Sequence, residues 1–164
     1  MDKYNIIKKD KNILSLPDPK DFYLLQFDGL SVPNPGEATG GTVLFKDGKP
    51  IFEAGEYIKF GTNNIAEYTG LFIGLKYAKT FKIKNILIEG DSMLVVQQVS
   101  GAWKVKNDVL KIIHAEIVKM IKDDFDFVGI KHVYRKDNQY ADDLTNETFQ
   151  KKESWIRDLR ILSS

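Results

Sequence analysis

Between residues 22 and 149 the apolar positions change period several times, and each change marks a predicted element. Phe22-Tyr23-Leu24-Leu25-Gln26-Phe27 is a nearly continuous apolar run of strand length, closed by Asp28-Gly29. That pattern fits a central strand buried on both faces, with Asp28 emerging at its end. Val32-Pro33-Asn34-Pro35-Gly36 is a turn by composition. Residues 40–45 and 51–58 flank Lys46-Asp47-Gly48-Lys49-Pro50, where the Asp-Gly pair predicts a hairpin, so three antiparallel strands come first. Thr62, Asn63 and Asn64 can each cap a helix running to about Lys79, in which Ala66, Gly70, Ile73, Gly74 and Tyr77 recur at three- and four-residue spacings. Glu67 then falls in the first turns of that helix.

Further along, Ile86-Leu87-Ile88 reads as a short buried strand ending at Asp91, and residues 92–99 as the helix after it. A second helix is expected over 108–122, a strand over 125–133, and a last helix from Asn138 to about Phe149. The succession β-β-β-α-β-α-α-β-α predicts an α/β fold: a five-stranded mixed sheet, three antiparallel strands first, with helices on both faces. Residues 1–20 end in Leu16-Pro17-Asp18-Pro19 and read as a tail or appended strand preceding a domain over 21–150. Residues 151–164 carry Trp155, Ile156, Leu159 and Ile161 and read as a short amphipathic helix packing on that domain.

Composition narrows the chemistry. At 164 residues and 43% hydrophobic content one buried core is expected, and the absence of cysteine excludes disulfides, thiolate nucleophiles and cysteine-ligated metals. No apolar run approaches membrane-spanning length, and Met1-Asp2-Lys3-Tyr4-Asn5 lacks a basic-then-apolar signal, so a soluble intracellular protein is expected. Net charge is only +1, so any nucleic-acid footprint must be local.

Four acids stand at predicted strand ends or helix starts: Asp28, Glu67, Asp91 and Asp142. Each alone has a plainer role, as a turn, a first-turn charge, a helix cap or a solvated helical acid. Together, in a chain with no cysteine and two histidines, they suit a hard cation such as Mg²⁺ or Mn²⁺, the ions of phosphoryl chemistry. Asp143 follows Asp142 directly, and residue chemistry does not say which one faces a metal.

In order and in their neighbours, these segments resemble the type 1 ribonuclease H family and its Asp-Glu-Asp-Asp metal site. The likeness runs from about residue 22 to 146 and includes Asn34-Pro35-Gly36, Thr62-Asn63-Asn64, Asp91-Ser92, and Asn138 followed by Ala141-Asp142. The family's Ala-Asp-x-Leu pattern matches Ala141-Asp142-Asp143-Leu144 and favours Asp142. The resemblance implies a monomeric endoribonuclease that cuts the RNA strand of RNA/DNA hybrids with two divalent ions. It implies that Asp28, Glu67, Asp91 and Asp142 hold those ions. It places Gly29, Asn34, Asn63, Asn64 and Met93 or Gln97 toward the minor groove, and Thr62 and Asn107 at a DNA phosphate. Trp103, with Lys104 and Lys106, has the make-up of a surface that tracks a DNA backbone, or of a partly packed core residue.

Three departures stand beside the resemblance. The basic handle of some members is absent, because Val99-Ser100-Gly101 runs almost straight into Trp103. Phe60 replaces an arginine of the phosphate pocket in several members. His132 and His114 fall in a strand and a helix and read as structural rather than as proton shuttles. Alternatives from other classes are a non-catalytic nucleic-acid-binding module and an excised nuclease domain of a reverse transcriptase or transposition protein.

Overall fold

In the computed structural model, which describes residues 3–11 and 17–160, the periodic segments become β1 (Asn5–Lys9), β2 (Tyr23–Val32), β3 (Gly36–Lys46), β4 (Lys49–Gly61), α1 (Asn63–Thr80), β5 (Asn85–Gly90), α2 (Met93–Val99), α3 (Asp108–Asp124), β6 (Phe127–His132), α4 (Gln139–Lys151) and β7 (Trp155–Asp158). The hairpin between β3 and β4 turns at Asp47 and Gly48, both at positive φ, 53° and 77°, which Asp-Gly tolerates and a two-residue turn demands.

The strands form one sheet in the order β1-β6-β5-β2-β3-β4-β7. β2–β5 and β5–β6 are parallel and the other pairings antiparallel, so the sheet is mixed as expected. It has seven strands rather than five, because each flank adds one. β1 is the appended strand allowed for in residues 1–20, and it pairs with β6. The helix expected over 151–164 is not formed in the described part: Lys152 takes a left-handed conformation (φ 58°), ends α4, and lets Trp155–Asp158 pair with β4 as an edge strand. Ile161 lies outside the described residues. Side-chain bonds decide the matter where periodicity could not. Trp155 Nε1 donates to Thr148 Oγ1 at 2.9 Å, and Arg157 bridges the buried Glu53 (2.6 Å) and Glu147 (2.7 Å).

Helices cover both faces. A Cβ on Gly40 would meet Gly70 and Ala66 of α1 within 2.9 Å, whereas one on Gly41 would meet Ala141 and Thr145 of α4 within 3.1 Å. Neighbouring strand residues point oppositely, so α1 and α4 lie on opposite sides of the sheet. α1 is packed between the sheet and α3 and buries Ala66, Tyr68, Leu71, Leu75 and Ala78. A helix held on two sides is apolar nearly all round.

A buried polar chain fastens this layer. The Tyr68 hydroxyl donates to Gln98 Oε1 (2.6 Å), Gln98 Nε2 donates to Lys104 O (3.2 Å), and His114 Nε2 lies 2.9 Å from Gln98 O. These bonds tie α1, α2, the segment before α3 and α3 together, so that His114 is structural. Among the described residues no helix is long and apolar enough to cross a membrane.

Candidate active site

Asp28 does not end its strand. β2 stays paired with β3 as far as Val32, but its parallel pairing with β5 stops at Phe27 and Gly90. Asp28 is therefore the first residue of β2 beyond the end of β5, and Asp91 follows β5 directly. Ends of parallel strands are where α/β sheets open a crevice, which brings these two acids together. Glu67 arrives from α1 because Gly29 lets the helix lie almost on the strand: a Cβ there would stand 2.2 Å from Glu67 N. The start of α1 is held by Thr62, whose Oγ1 accepts from Ile65 N (3.1 Å), and by Asn63, whose Oδ1 accepts from Ser31 N (2.9 Å).

Carboxylate oxygens of Asp28, Glu67 and Asp91 all lie within 4.8 Å of one another, a geometry and donor set that could hold a metal ion. Asp142, in the first turn of α4, is not in this trio but lines the same cleft, close enough to help raise the pKa of Asp28. Asp143 is exposed and accepts from Gln139 Nε2 at 2.8 Å, outside the cleft. The cleft measures about 380 Å³ and is also walled by Gly29, Asn63, His132, Tyr134 and Arg135.

The acids repel one another in a poorly solvated place. Burial, then the charge of Asp91, pushes Asp28 up from 3.8 to about 8, against the pull of the Gly29 amide. Burial, then the charges of Asp28 and Asp91, pushes Glu67 up from 4.5 to about 9. Asp91 is also raised by burial, opposed by Arg135 and by the Asn138 amide. Glu67 Oε2 is fully buried and without a hydrogen-bond partner among the described residues. A carboxylate with an orphaned buried oxygen, set beside two other acids, fits a cation.

Stability should follow from the sign of these shifts. Folded values above the unfolded ones mean that the native state holds more protons than the unfolded state between roughly pH 4 and pH 9. The stabilisation is complete below the unfolded values and lost as pH rises through the folded ones. In EDTA the melting temperature is thus expected to fall across that window, and a saturating divalent cation to remove much of the fall. A flat profile in EDTA would count against the cluster as described.

A family model described as reverse transcriptase-like matches residues 26–148. Ribonuclease HI of Halobacterium salinarum is 40% identical over 122 residues, which are 74% of this chain and 61% of that protein. The crystal structure of RNase H1 from the same organism aligns with a TM-score of 0.73 at 37% identity, covering 79% of this chain and 98% of the other. The chain belongs to the type 1 ribonuclease H family. LC11-RNase H1, solved in complex with an RNA/DNA hybrid, is 32% identical with a TM-score of 0.75, over 79% of this chain and 97% of the other. The chain spans less than two thirds of its curated relatives: besides the halobacterial protein, it covers 34% of a bifunctional protein of Mycobacterium tuberculosis at 35% identity.

Other residues singled out by the ribonuclease H resemblance are placed variously. Asn34 Oδ1 accepts from Asn63 N (3.1 Å), joining the β2–β3 turn to the start of α1, while Asn64 is exposed. Asn107 caps α3 by accepting from Val109 N and Leu110 N, and Thr62 caps α1, so both have a structural use already. Trp103 and Met93 are exposed, which removes Trp103 from the core, and Phe60 is 71% exposed at the end of β4. α2 and α3 are joined directly through residues 100–107, without a basic handle.

Three contributors to the cleft were missed or undervalued in the sequence. His132 borders it, with Nε2 3.2 Å from Asp91 O. Arg135 puts a positive charge beside Asp91. Asn138 is fully buried, donates Nδ2 to Phe27 O at 2.9 Å and steadies Asp91. His132 could have been suspected from its place at the carboxyl end of a predicted strand. Arg135 carried no signal beyond loop position.

Proposed function

We propose that this chain is an endoribonuclease that hydrolyses the RNA strand of RNA/DNA hybrids, leaving a 3′-hydroxyl and a 5′-phosphate. Its divalent ions, Mg²⁺ or Mn²⁺, are two in number and are held by Asp28, Glu67, Asp91 and Asp142. The observation that carries this reading is the convergence of three carboxylates from β2, α1 and the end of β5 within 4.8 Å, one of them that of Glu67, whose buried Oε2 has no hydrogen-bond partner among the described residues. Support comes from the family, one of whose members was solved with a hybrid.

When bound, such ions offset the charge of the phosphodiester and generate a nucleophile from water. Asp28, 5% exposed and facing Asp91 and Asp142, would hold the ions together with the other three acids. Asn138 is a positioning residue, fixing the ends of β2 and β5 against each other through Phe27 and Asp91. Arg135 offers guanidinium donors to a phosphate at the cleft mouth. Gly29 and Asn63 of the cleft, with Asn34 and Asn64, and Met93 and Gln97 on the side of His132 and Tyr134, read the 2′-hydroxyls that distinguish RNA from DNA. Thr62, Asn107, Trp103, Lys104 and Lys106 hold the DNA strand. The protein acts as a monomer inside the cell, which sedimentation of the free and hybrid-bound forms checks for oligomeric state.

The test is labelled RNA/DNA, RNA/RNA, DNA/DNA and single-stranded RNA, each with Mg²⁺, Mn²⁺ or EDTA. Cleavage of the hybrid's RNA strand alone, abolished by EDTA, is the expected result. Cutting of duplex DNA, or metal-independent cutting, overturns the proposal. The description of the matching family and the short share of the mycobacterial relative favour a second reading, a nuclease domain of a longer protein. On that reading the strand selectivity is the same and hybrid affinity is raised by the adjoining domain.

A further inference from the structure

β1 is antiparallel to β6, so the start of β1 lies beside the carboxyl end of β6, the end that carries His132 into the cleft. Asn5 pairs with Ile130, and continuing that register by two residues sets Tyr4 beside Lys131 and Lys3 beside His132. Tyr4 is fastened there. Its hydroxyl donates to Glu89, and its ring lies under the Lys131 ammonium at 4.5 Å. Lys131 is also 3.7 Å from Glu89, so its charge is partly offset, whereas Lys3 is exposed with no charged partner among the described residues.

Between the start of β1, α2 and the segment after β6 runs a second groove of about 440 Å³, walled by Lys3, Asn5, Met93, Gln97 and Lys131, with Asp137 its carboxylate. His132 and Tyr134 line both this groove and the candidate active-site cleft, so the two adjoin across these side chains. Tyr134 stands at their junction, 71% exposed and edge-on to His132 at 5.9 Å between ring centres. An exposed ring flanked by lysines and amides has the make-up of a path for a single nucleic-acid strand: a face for a base, cations for phosphates, and amides for hydroxyls.

We propose that this groove is a second subsite for the RNA strand, added to the ribonuclease H frame by β1. The RNA leaving the cut site passes Tyr134 and lies along the groove, its phosphates against Lys3 and Lys131 and its hydroxyls facing the amides of Asn5 and Gln97. The proposal rests on the reading of the adjacent cleft as a hybrid-cutting site. Covering the sheet edge would require only the paired residues of β1; Lys3, beyond the last pair, serves no such purpose.

The test uses the full chain, its Lys3→Glu variant and a Lys49→Glu control, which makes the same charge change at the β3–β4 hairpin, away from the cleft. Fluorescent hybrids of about 18 base pairs are compared with two shorter ones that share the cut site but end just past it, one on the 5′ and one on the 3′ side of the RNA. Binding is read by anisotropy in EDTA at low salt. Lys3→Glu is expected to weaken the full hybrid and one of the short hybrids about 3–10-fold, to leave the other short hybrid within about twofold, and to reduce the salt slope by about one unit. Lys49→Glu should do none of this. An equal loss on both short hybrids, behaviour indistinguishable from the control, or no wild-type binding overturns the subsite. Cleavage by the wild type in Mg²⁺ is scored separately, so a protein that binds as predicted but never cuts refutes the reading of the cleft and not the groove.

Discussion

Asp28→Asn is expected to reduce hybrid cleavage by at least about 100-fold, a loss of roughly 2.7 kcal/mol of transition-state stabilisation, while raising the melting temperature in EDTA. Both effects follow from one geometry. The Asp28 carboxylate is buried and faces the charges of Asp91 and Asp142, so ionising it without a cation is costly and its pKa is pushed up to about 8. Asparagine keeps the shape and removes the charge. Near pH 8 this should relieve about 1–2 kcal/mol, or roughly 2–8 °C at this chain length. The melting curve in saturating Mg²⁺ should show the opposite order, with wild type above the variant, because the variant binds the ions less well. Turnover near wild type under saturating Mg²⁺ would remove Asp28 from the metal site. Unchanged stability in EDTA would show that the repulsion is relieved in another way.

Asp142→Asn should cost about 100-fold in activity and Asp143→Asn less than about threefold, measured as kcat/KM on one hybrid. The two acids are adjacent, and helical neighbours point about 100° apart. α4 is oriented by its buried Ala141, Leu144, Thr145 and Thr148 packed on the sheet, and by Arg157 bridging Glu147 to Glu53. With that face buried, Asp142 turns into the cleft and Asp143 to solvent, where Gln139 Nε2 bridges them at 3.3 and 2.8 Å. Because Asp142 lies outside the closest trio of carboxylates, its loss should be partly rescued by raising the Mg²⁺ concentration, unlike that of Asp28. The reverse ranking of the two variants would assign the ligand to Asp143.

Much of the frame was legible because its elements carry local signals. Asp47-Gly48 has a turn chemistry that few other dipeptides supply, the Phe22–Phe27 run could only be buried, and Thr62 and Ser92 cap the helices they precede. The flanks were harder. β7 is four residues long and is held chiefly by distant partners, its pairing with β4 and Arg157 on Glu53, with Trp155 on the nearer Thr148, so its apolar residues were open to a helical reading until Lys152 reversed the chain. The reach of β2 was underread for a related reason: Asp28-Gly29 resembles a terminus, and only the partner β3 shows that the strand continues through it.

The sequence by itself determined which residues are available for chemistry: four acids with no soft ligand, set at the boundaries of segments whose period is local and therefore readable. Only the tertiary structure decided how they meet. That the three carboxylates stand within 4.8 Å of one another depends on β5 stopping one residue before Asp28 and on α1 lying against Gly29. The roles of His132, Arg135 and Asn138 depend on which strand ends are neighbours in the sheet. Such proximities arise from packing between segments as far apart as Asp28 and Asp142, and local periodicity carries no record of them.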